Sequence, residues 1–408
     1  MPKNQLIPNL FRSEYSKIIA VLCKTFGLSN IQLAEDITSE TFLKASETWG
    51  LKGVPDNPTA WLYLVAKNLA RDHFKREKIF LQKITPKLQA EYRDSDELNI
   101  DLSPPNIQDS QLQMLFVSCD PVLSKKAQIT FALRVLCGFG IKEIANALLS
   151  NVSTINKRLL RTKNRFRGNN ISLQFPPQKD LIARLENVLA ILYLLFNEGY
   201  YSASSEKTIQ KELCIEAMRL LFILLEYQPA NLPQSNALMA LFCFHSSRFD
   251  ARIDKKGALI LYENQDRSKW DDALIKKGEH YITQAHTEKI SKYHLEALIA
   301  YWHTRINCED NEKWQNILQL YNQLIQIEYS PVTALNRTYA LSRAYGKEVA
   351  LKEALKIKLE GNHLYHSLLA DLYQGINRKK QLEQLHLALK AVDTQNDRKI
   401  ILQKIKSL

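Results

Sequence analysis

Apolar positions recur at three- and four-residue intervals along most of the chain, the period of helices that bury one face, and almost no stretch alternates as a strand does. The clearest case is Asn57 to Lys78, NPTAWLYLVAKNLARDHFKREK, in which Pro58 suits a first helical turn and Asn57 is a candidate N-cap. Trp61, Leu62, Val65 and Leu69 fall on one side of this helix. Lys67, Arg71, Lys75 and Lys78 form a second stripe. Like charges along a helix repel weakly, so such a stripe is either simply solvated or kept for a polyanion.

Taken in order, the pattern predicts a first helix over Phe11 to Phe26, with Tyr15, Ile18, Ile19 and Leu22 on one face and Gly27 at the C-cap. A second helix is expected from Ile31 to Trp49, where AEDITSETFLKASETW combines Ala34, Ile37, Thr41 and Phe42 with acidic Glu35, Asp36 and Glu40. Residues 81–108 carry Asp94, Asp96, Glu97, Asp101 and the pair Pro104-Pro105, which reads as a flexible acidic linker. From Asp109 a second module begins, and its strongest signal is Ile141 to Arg167, IKEIANALLSNVSTINKRLLRTKNRFR. One helix would contain Ile144, Ala145 and Leu148, Ser150-Asn151 would turn, and Ser153 or Thr154 would start a helix facing inward through Ile155, Leu159 and the further candidate Leu160. Asn156, Lys157, Arg158, Arg161 and Lys163 would lie on or near its exposed side. A small residue at a helix crossing, a tight polar turn and a basic second helix are features of a helix-turn-helix; the competing reading is a solvated helical hairpin.

Composition narrows the class. With 408 residues, 45% of them apolar, and only 12 Gly and 13 Pro, the chain is expected to fold into two or three helix-favouring globular domains. The net charge is +12, and it is uneven: residues 1–175 hold 24 Lys and Arg against 16 Asp and Glu, a net of +8, leaving +4 for the other 233. That density points to a nucleic-acid partner for the N-terminal part. Cys23, Cys119, Cys137, Cys214, Cys243 and Cys308 are scattered among apolar residues without Cys-x-x-Cys spacing, which predicts buried free thiols in a reducing compartment. No signal peptide opens the sequence and no apolar run approaches the roughly 20 residues of a membrane span. A cytoplasmic protein without a membrane contact is expected.

The N-terminal part resembles the sigma-70 family, specifically the small two-domain group called extracytoplasmic-function sigma factors. AEDITSETFLKASETW followed by NPTAWLYLVAKNLARDHFKRE, within residues 10–80, is similar to the family's region 2, and EIANALLSNVSTINKRLLRTKNRFR, within 110–168, is similar to its region 4. The resemblance implies that Asp36, Glu40 and Lys44 dock on the largest subunit of core RNA polymerase. It implies that Lys67, Arg71 and Lys75, with Asn68 and Arg76 beside them, contact the minus-10 element, with Tyr63 the aromatic candidate for an extruded base and Trp49 and Trp61 core residues. Ser153, Thr154, Asn156, Lys157, Arg158 and Arg161 would read the minus-35 element, Arg158 and Arg161 being candidates for a guanine or a phosphate. Leu149 and Ser150 depart from the family, in which a Gly followed by an apolar residue is frequent at the turn.

Beyond Pro176-Pro177 a strongly apolar helix is expected over Leu181 to Phe196, then helices at about 205–227, 233–246, 268–286, 292–305, 311–326, 331–345, 347–358, 363–375 and 379–392, with Gly257 to Tyr262 a candidate hairpin arm. SPVTALNRTYALSRAYGKEVALKEALK and HLYHSLLADLYQGINRKKQLEQLHLALK are offset helix pairs in which Ala340 aligns with Ala370, a period that suggests a tetratricopeptide-like solenoid. The region also resembles the long C-terminal extension of one subgroup of these sigma factors, at YLLFNEGYYSAS and YENQDRSKWDDALI. Asn197, Glu198, His245, Arg248, Arg252, Asp254, Asp266, Arg267 and Asp271 form a polar cluster read as interhelical salt bridges or a domain interface. His363 and His366 lack a third ligand, and no metal, cofactor or catalytic spacing is found.

The expectation is an all-α chain: 1–80 region 2, 81–108 acidic linker, 109–175 helix-turn-helix region 4, and 176–408 a helical C-terminal extension. Its partners would be core RNA polymerase, promoter DNA, and a protein or an intramolecular contact for the C-terminal part. It would be a transcription initiation factor and not an enzyme. The alternative is a one-component helix-turn-helix regulator whose helical domain senses a ligand, and the Ile31 to Trp49 helix separates the two readings, since a simple repressor needs no polymerase-docking surface.

Overall fold

A computed structural model describes residues 3–84, 99–148, 150–169, 171–200, 211–252, 260, 262–305, 310–357, 359–392 and 395–408. Among these residues the chain is all-α, as the periodicity predicts, and it divides by contacts into two units, 1–195 and 196–408. None of its described helices is long and apolar enough to cross a membrane. Helix positions follow the expected order; the candidate hairpin at 257–262 lies mostly outside the described residues, and Tyr262 itself opens a single 3-10 turn.

The first unit is built around α1 (Lys3–Phe26), against which α2 (Ile31–Lys52), α3 (Pro58–Ile84), α4 (Pro104–Ser118) and α5 (Lys125–Val135) all pack. The sequence predicts one buried face for α1, yet Tyr15, Ile18, Ile19, Ala20, Val21, Leu22 and Cys23 are all fully buried. The reason is α4, which covers the side of α1 that α2 and α3 leave open: Gln111 Nε2 donates to Ser16 Oγ at 3.1 Å, and Lys24 pairs with Asp109. Pro104 and Pro105 do not break the chain into a linker there; they occupy the first turn of α4, where no intrahelical N–H is required. Residues 85–98, the rest of the stretch read as acidic linker, lie outside the described residues. Helices α6 (Ile141–Ala147) and α7 (Val152–Gly168) complete the region, and α8 (Gln178–Tyr200) follows, tied to it by an Arg184–Asp120 ion pair at 2.8 Å.

The second unit contains α9 (Lys211–Glu226), α10 (Pro233–Ser246), α11 (Phe249–Arg252), α12 (Asp272–Gln284) and α13 (Lys292–Thr304). Apolar nearly all round, α10 is covered by α9, α12 and α13. Gly278 lets α12 cross it closely, since a Cβ there would come within 2.5 Å of the Phe244 ring. The chain continues through α14 (Asp310–Ile327), α15 (Pro331–Tyr345), α16 (Lys347–Ile357), α17 (His363–Tyr373) and α18 (Arg378–Ala391), each packed on its successor, to α19 (Gln395–Lys406), a helix the sequence pattern did not predict. Trp314, Ile317, Leu335, Leu341, Leu369 and Leu372 share one core, and Ala340 and Ala370 are both buried. The chain leaves α15 at Gly346 and turns after α17 at Gly375, with φ of +93° and +84°, conformations that side chains rarely adopt.

Candidate polymerase and nucleic-acid surfaces

Helix α2 buries Ala34, Ile37, Thr41, Phe42, Ala45 and Trp49 and turns Asp36, Glu40 and Lys44 to the outside. Glu40 and Lys44 pair at 3.4 Å, and Gln32 Nε2 donates to Asp36 Oδ1 at 3.4 Å. Leu43, 58% exposed, lies on the same stripe. An exposed leucine among charges is what a protein-docking face presents, and the helical pattern alone does not single it out.

Glu35 behaves differently from its neighbour Asp36. It is buried, accepts from Arg134 Nε of α5 at 3.1 Å, and pairs with Lys163 of α7, whose Nζ also reaches Gln32 Oε1 at 2.7 Å. Lys163 is therefore not on the exposed side of its helix, as its place in the basic run suggested. Arg134 is further fixed by Phe139 O at 3.2 Å and by its position 5.1 Å over the Tyr15 ring, which together hold the guanidinium against Glu35. A second link joins Arg12 of α1 to Glu143 of α6 at 3.0 Å.

The start of α3 is set as the sequence predicts: Asn57 Oδ1 accepts from the Ala60 N–H at 2.9 Å, and Pro58 opens the helix. Leu62 and Leu69 are buried; Trp61 is half-buried, its ring 5.3 Å from that of buried Trp49. On the outer side Asn68, Arg71, Lys75 and Arg76 are exposed, and Lys67 is half-buried. The Lys78 side chain lies outside the described residues. Tyr63 is half-buried, with its hydroxyl donating to Glu14 Oε2 at 2.5 Å; burial first, then this carboxylate, raise its pKa far above the usual phenol value. Its hydroxyl is thus committed, and what remains for a ligand is the ring.

That ring lines a cleft of 430 Å³ with Ala60, Leu64, Lys67 and the segment Asn99–Leu102. Leu64 is 57% exposed there, a second apolar contact on the basic side. Asp101 is one of the lining residues of that segment. Two hydrogen bonds from Ser103, then the charges of Lys67 and Lys24, hold its carboxyl below the usual range.

In the α6–α7 pair, Ile144, Ala145, Ile155 and Leu159 are buried as expected, whereas Leu160 is 58% exposed. Leu160 sits one position past Leu159, about 100° round the helix, and faces solvent. Helix α7 starts one or two residues earlier than predicted, because Asn151 Oδ1 accepts from the Thr154 N–H at 2.7 Å and takes the N-cap from Ser153 and Thr154. Leu149 lies outside the described residues. Ser153, Asn156, Lys157 and Arg161 are exposed, while Thr154 and Arg158 are half-buried. Thr154, Lys157, Arg158 and Arg161 meet in a cleft of 600 Å³ closed by the N-terminus of α5 and by Arg165; Ser153 and Asn156 stand outside that lining. Arg158 is oriented by donating to Thr130 Oγ1 at 2.9 Å, and Arg165 by donating to Val122 O at 2.9 Å. Four cationic side chains on one wall of an open cleft suit a polyanionic backbone.

In the polar cluster of the second unit, read as interhelical salt bridges or a domain interface, two of the acids act locally. Asp266 accepts from Ser268 N and Oγ and pairs with Lys269, and Asp271 caps α12 through the Leu274 N–H at 3.0 Å. The arginines lie on aromatic rings: Arg252 3.8 Å over Tyr200, Arg267 5.8 Å over Trp270 and Arg248 5.5 Å over Tyr262. Asp254 lies outside the described residues. His366 is buried between Gln384 and the Glu360 carbonyl, and His363 faces Asp397 at 3.6 Å. Among the described residues no group of three His, Cys, Asp or Glu side chains is placed to hold a metal ion.

Comparison with known proteins bears on both units. Residues 10–79 match sigma-70 region 2, and residues 184–286 match a family of unknown function (DUF6596). An uncharacterized protein of Rhizobium meliloti is 33% identical over 353 residues, 86% of this chain and 83% of that protein. The ECF RNA polymerase sigma factor BldN of Streptomyces coelicolor is 34% identical over 137 residues, 32% of this chain and 48% of that protein. No solved structure matches significantly. The chain shares one family with the Rhizobium meliloti protein along most of its length, and within it residues 10–79 carry the match to sigma-70 region 2.

Proposed function

We propose that the chain is a sequence-specific initiation factor of the extracytoplasmic-function type, which binds core RNA polymerase and directs it to minus-35 and minus-10 promoter elements in the cytoplasm. What carries the reading is one observation: on a sigma-70 region 2, the charged stripe of α2 and the basic stripe of α3 are both exposed, beside an aromatic cleft. Asp36, Glu40 and Lys44, with Leu43, are the polymerase contact. Lys67, Asn68, Arg71, Lys75 and Arg76 hold the backbone of the minus-10 strands, and the Tyr63 ring with Leu64 receives an unstacked base. Unstacking costs a few kcal/mol, which stacking in a pocket and phosphate contacts offset. The α6–α7 pair acts as a helix-turn-helix, with Ser153, Thr154, Asn156, Lys157, Arg158 and Arg161 at the minus-35 element. The C-terminal helices form a tetratricopeptide-like interaction domain for a protein partner or for the DNA-binding modules themselves.

Run-off transcription with purified core polymerase tests the reading. Transcripts should depend on the chain, and a Lys67/Arg71/Lys75 triple alanine variant should lower them by roughly tenfold or more while still binding core, as loss of several phosphate contacts requires. Failure to bind core polymerase, with duplex DNA still bound, would sink it.

A further inference from the structure

The second unit buries two cations beside one aromatic ring, Arg248 at 8% and Lys313 at 4% exposure. The Arg248 guanidinium lies 5.5 Å and the Lys313 ammonium 5.1 Å from the centre of the Tyr262 ring. The Tyr262 hydroxyl is used twice: it donates to the His303 carbonyl at 2.7 Å and accepts from Lys313 at 2.8 Å. Among the described residues Arg248 makes one hydrogen bond, Nη2 to Tyr200 Oη at 3.3 Å, and its buried Nε–H has no hydrogen-bond partner. Two more buried ring nitrogens next to Tyr262 have none: Trp270 Nε1, whose ring lies 5.9 Å from Arg248, and His303 Nδ1. Three described acids of this region are engaged elsewhere, Glu263 with Arg343 and Tyr339, Asp266 with Ser268 and Lys269, Asp271 with the α12 N-terminus.

Buried charge is retained when an opposite charge or full hydrogen bonding compensates it, and stacking on an aromatic face supplies only part of that. His303 does not add to the charge, since burial, then Arg248 and Lys313, push its pKa down to about 3. The cluster therefore holds two positive charges, an unused guanidinium N–H, an unused indole N–H and the ammonium protons that Tyr262 does not take.

We propose that this cluster binds a dianionic oxyanion of phosphate size, either free phosphate or the phosphate of a small phosphomonoester. One carboxylate would balance a single cation, whereas a phosphomonoester at neutral pH carries a charge of about −1.5 to −2 and presents three acceptor oxygens. A planar guanidinium, an ammonium and an indole N–H are the matching donors.

The test is titration of the full-length chain with inorganic phosphate, followed by thermal unfolding and calorimetry, against chloride at equal ionic strength. A saturable rise in Tm with phosphate is expected. Arg248→Gln and Lys313→Gln should each weaken binding by roughly tenfold or more, as removal of a charge-assisted hydrogen bond does, and Lys269→Gln on the surface should not. Glycerol 3-phosphate and ribose 5-phosphate separate the sources: tighter binding than inorganic phosphate marks a metabolite site, and equal or weaker binding marks free phosphate. The proposal is overturned if none of these anions gives a saturable response beyond chloride, or if the response survives in both folded variants.

Discussion

Both units shield cations from solvent, and they treat them in opposite ways. In the first, Arg134 and Lys163 converge on the single carboxylate of Glu35, three charged groups from three helices closed against each other. In the second, Arg248 and Lys313 lie beside a tyrosine, and Asp271 and Glu263 cap a helix or pair at the surface. A closed ionic cluster holds helices together without any outside group, while an uncompensated one gains stability from whatever anion enters it.

The largest effect should come from Glu35→Ala, which leaves two shielded cations facing each other; breaking a buried ionic cluster costs about 3–5 kcal/mol. Denaturant unfolding measures it, and a loss below about 1 kcal/mol would mean that the cluster behaves as an ordinary surface pair. Next is acid. Folded His303 titrates near pH 3, and burial followed by Arg248 and Arg252 pushes His245 well below its usual range. Below about pH 6.5 the unfolded chain takes up protons that the folded chain refuses, so stability is full at neutral pH and falls as pH drops towards 3, by up to ~1.4 kcal/mol per pH unit for each histidine. Melting curves at pH 7.5 and 5.5 should show this, and His303→Phe should reduce the slope by about one proton; a flat profile would remove the electropositive character from the comparison. The smallest effect belongs to Glu40→Gln, since its pair with Lys44 is about half exposed on both sides and such pairs contribute about 0.3–0.5 kcal/mol. A stability change beyond that would show that the α2 face is not a free surface.

Much of this was written locally. The two faces of α3, its cap at Asn57 and the inward Ile155 and Leu159 follow from spacing alone, because each depends on residues within one or two turns. What was not legible depends on distant partners. Glu35 and Asp36 are adjacent acids in one helical run, and only α7, more than a hundred residues away, decides that one is buried and the other exposed. The full burial of α1 likewise depends on α4. Arg248 was singled out in a polar cluster, but its placement on Tyr262 rather than on an acid needed the chain to be folded. The N-cap of α7 could have been found: Asn151 is as good a cap as Ser153 and precedes a residue, Val152, that tolerates the first turn.

The buried thiols give the molecule a built-in clock. Cys23 and Cys119 in the first unit, and Cys214 and Cys243 in the second, are enclosed and free of disulfides, and burial raises the pKa of each, to about 12 for the latter two. A thiol reacts as its thiolate, so in the closed molecule these groups are chemically silent at neutral pH. Each is modified only as fast as its surroundings open. A brief pulse of alkylating reagent, read residue by residue, would therefore time the breathing of the two halves separately within one chain.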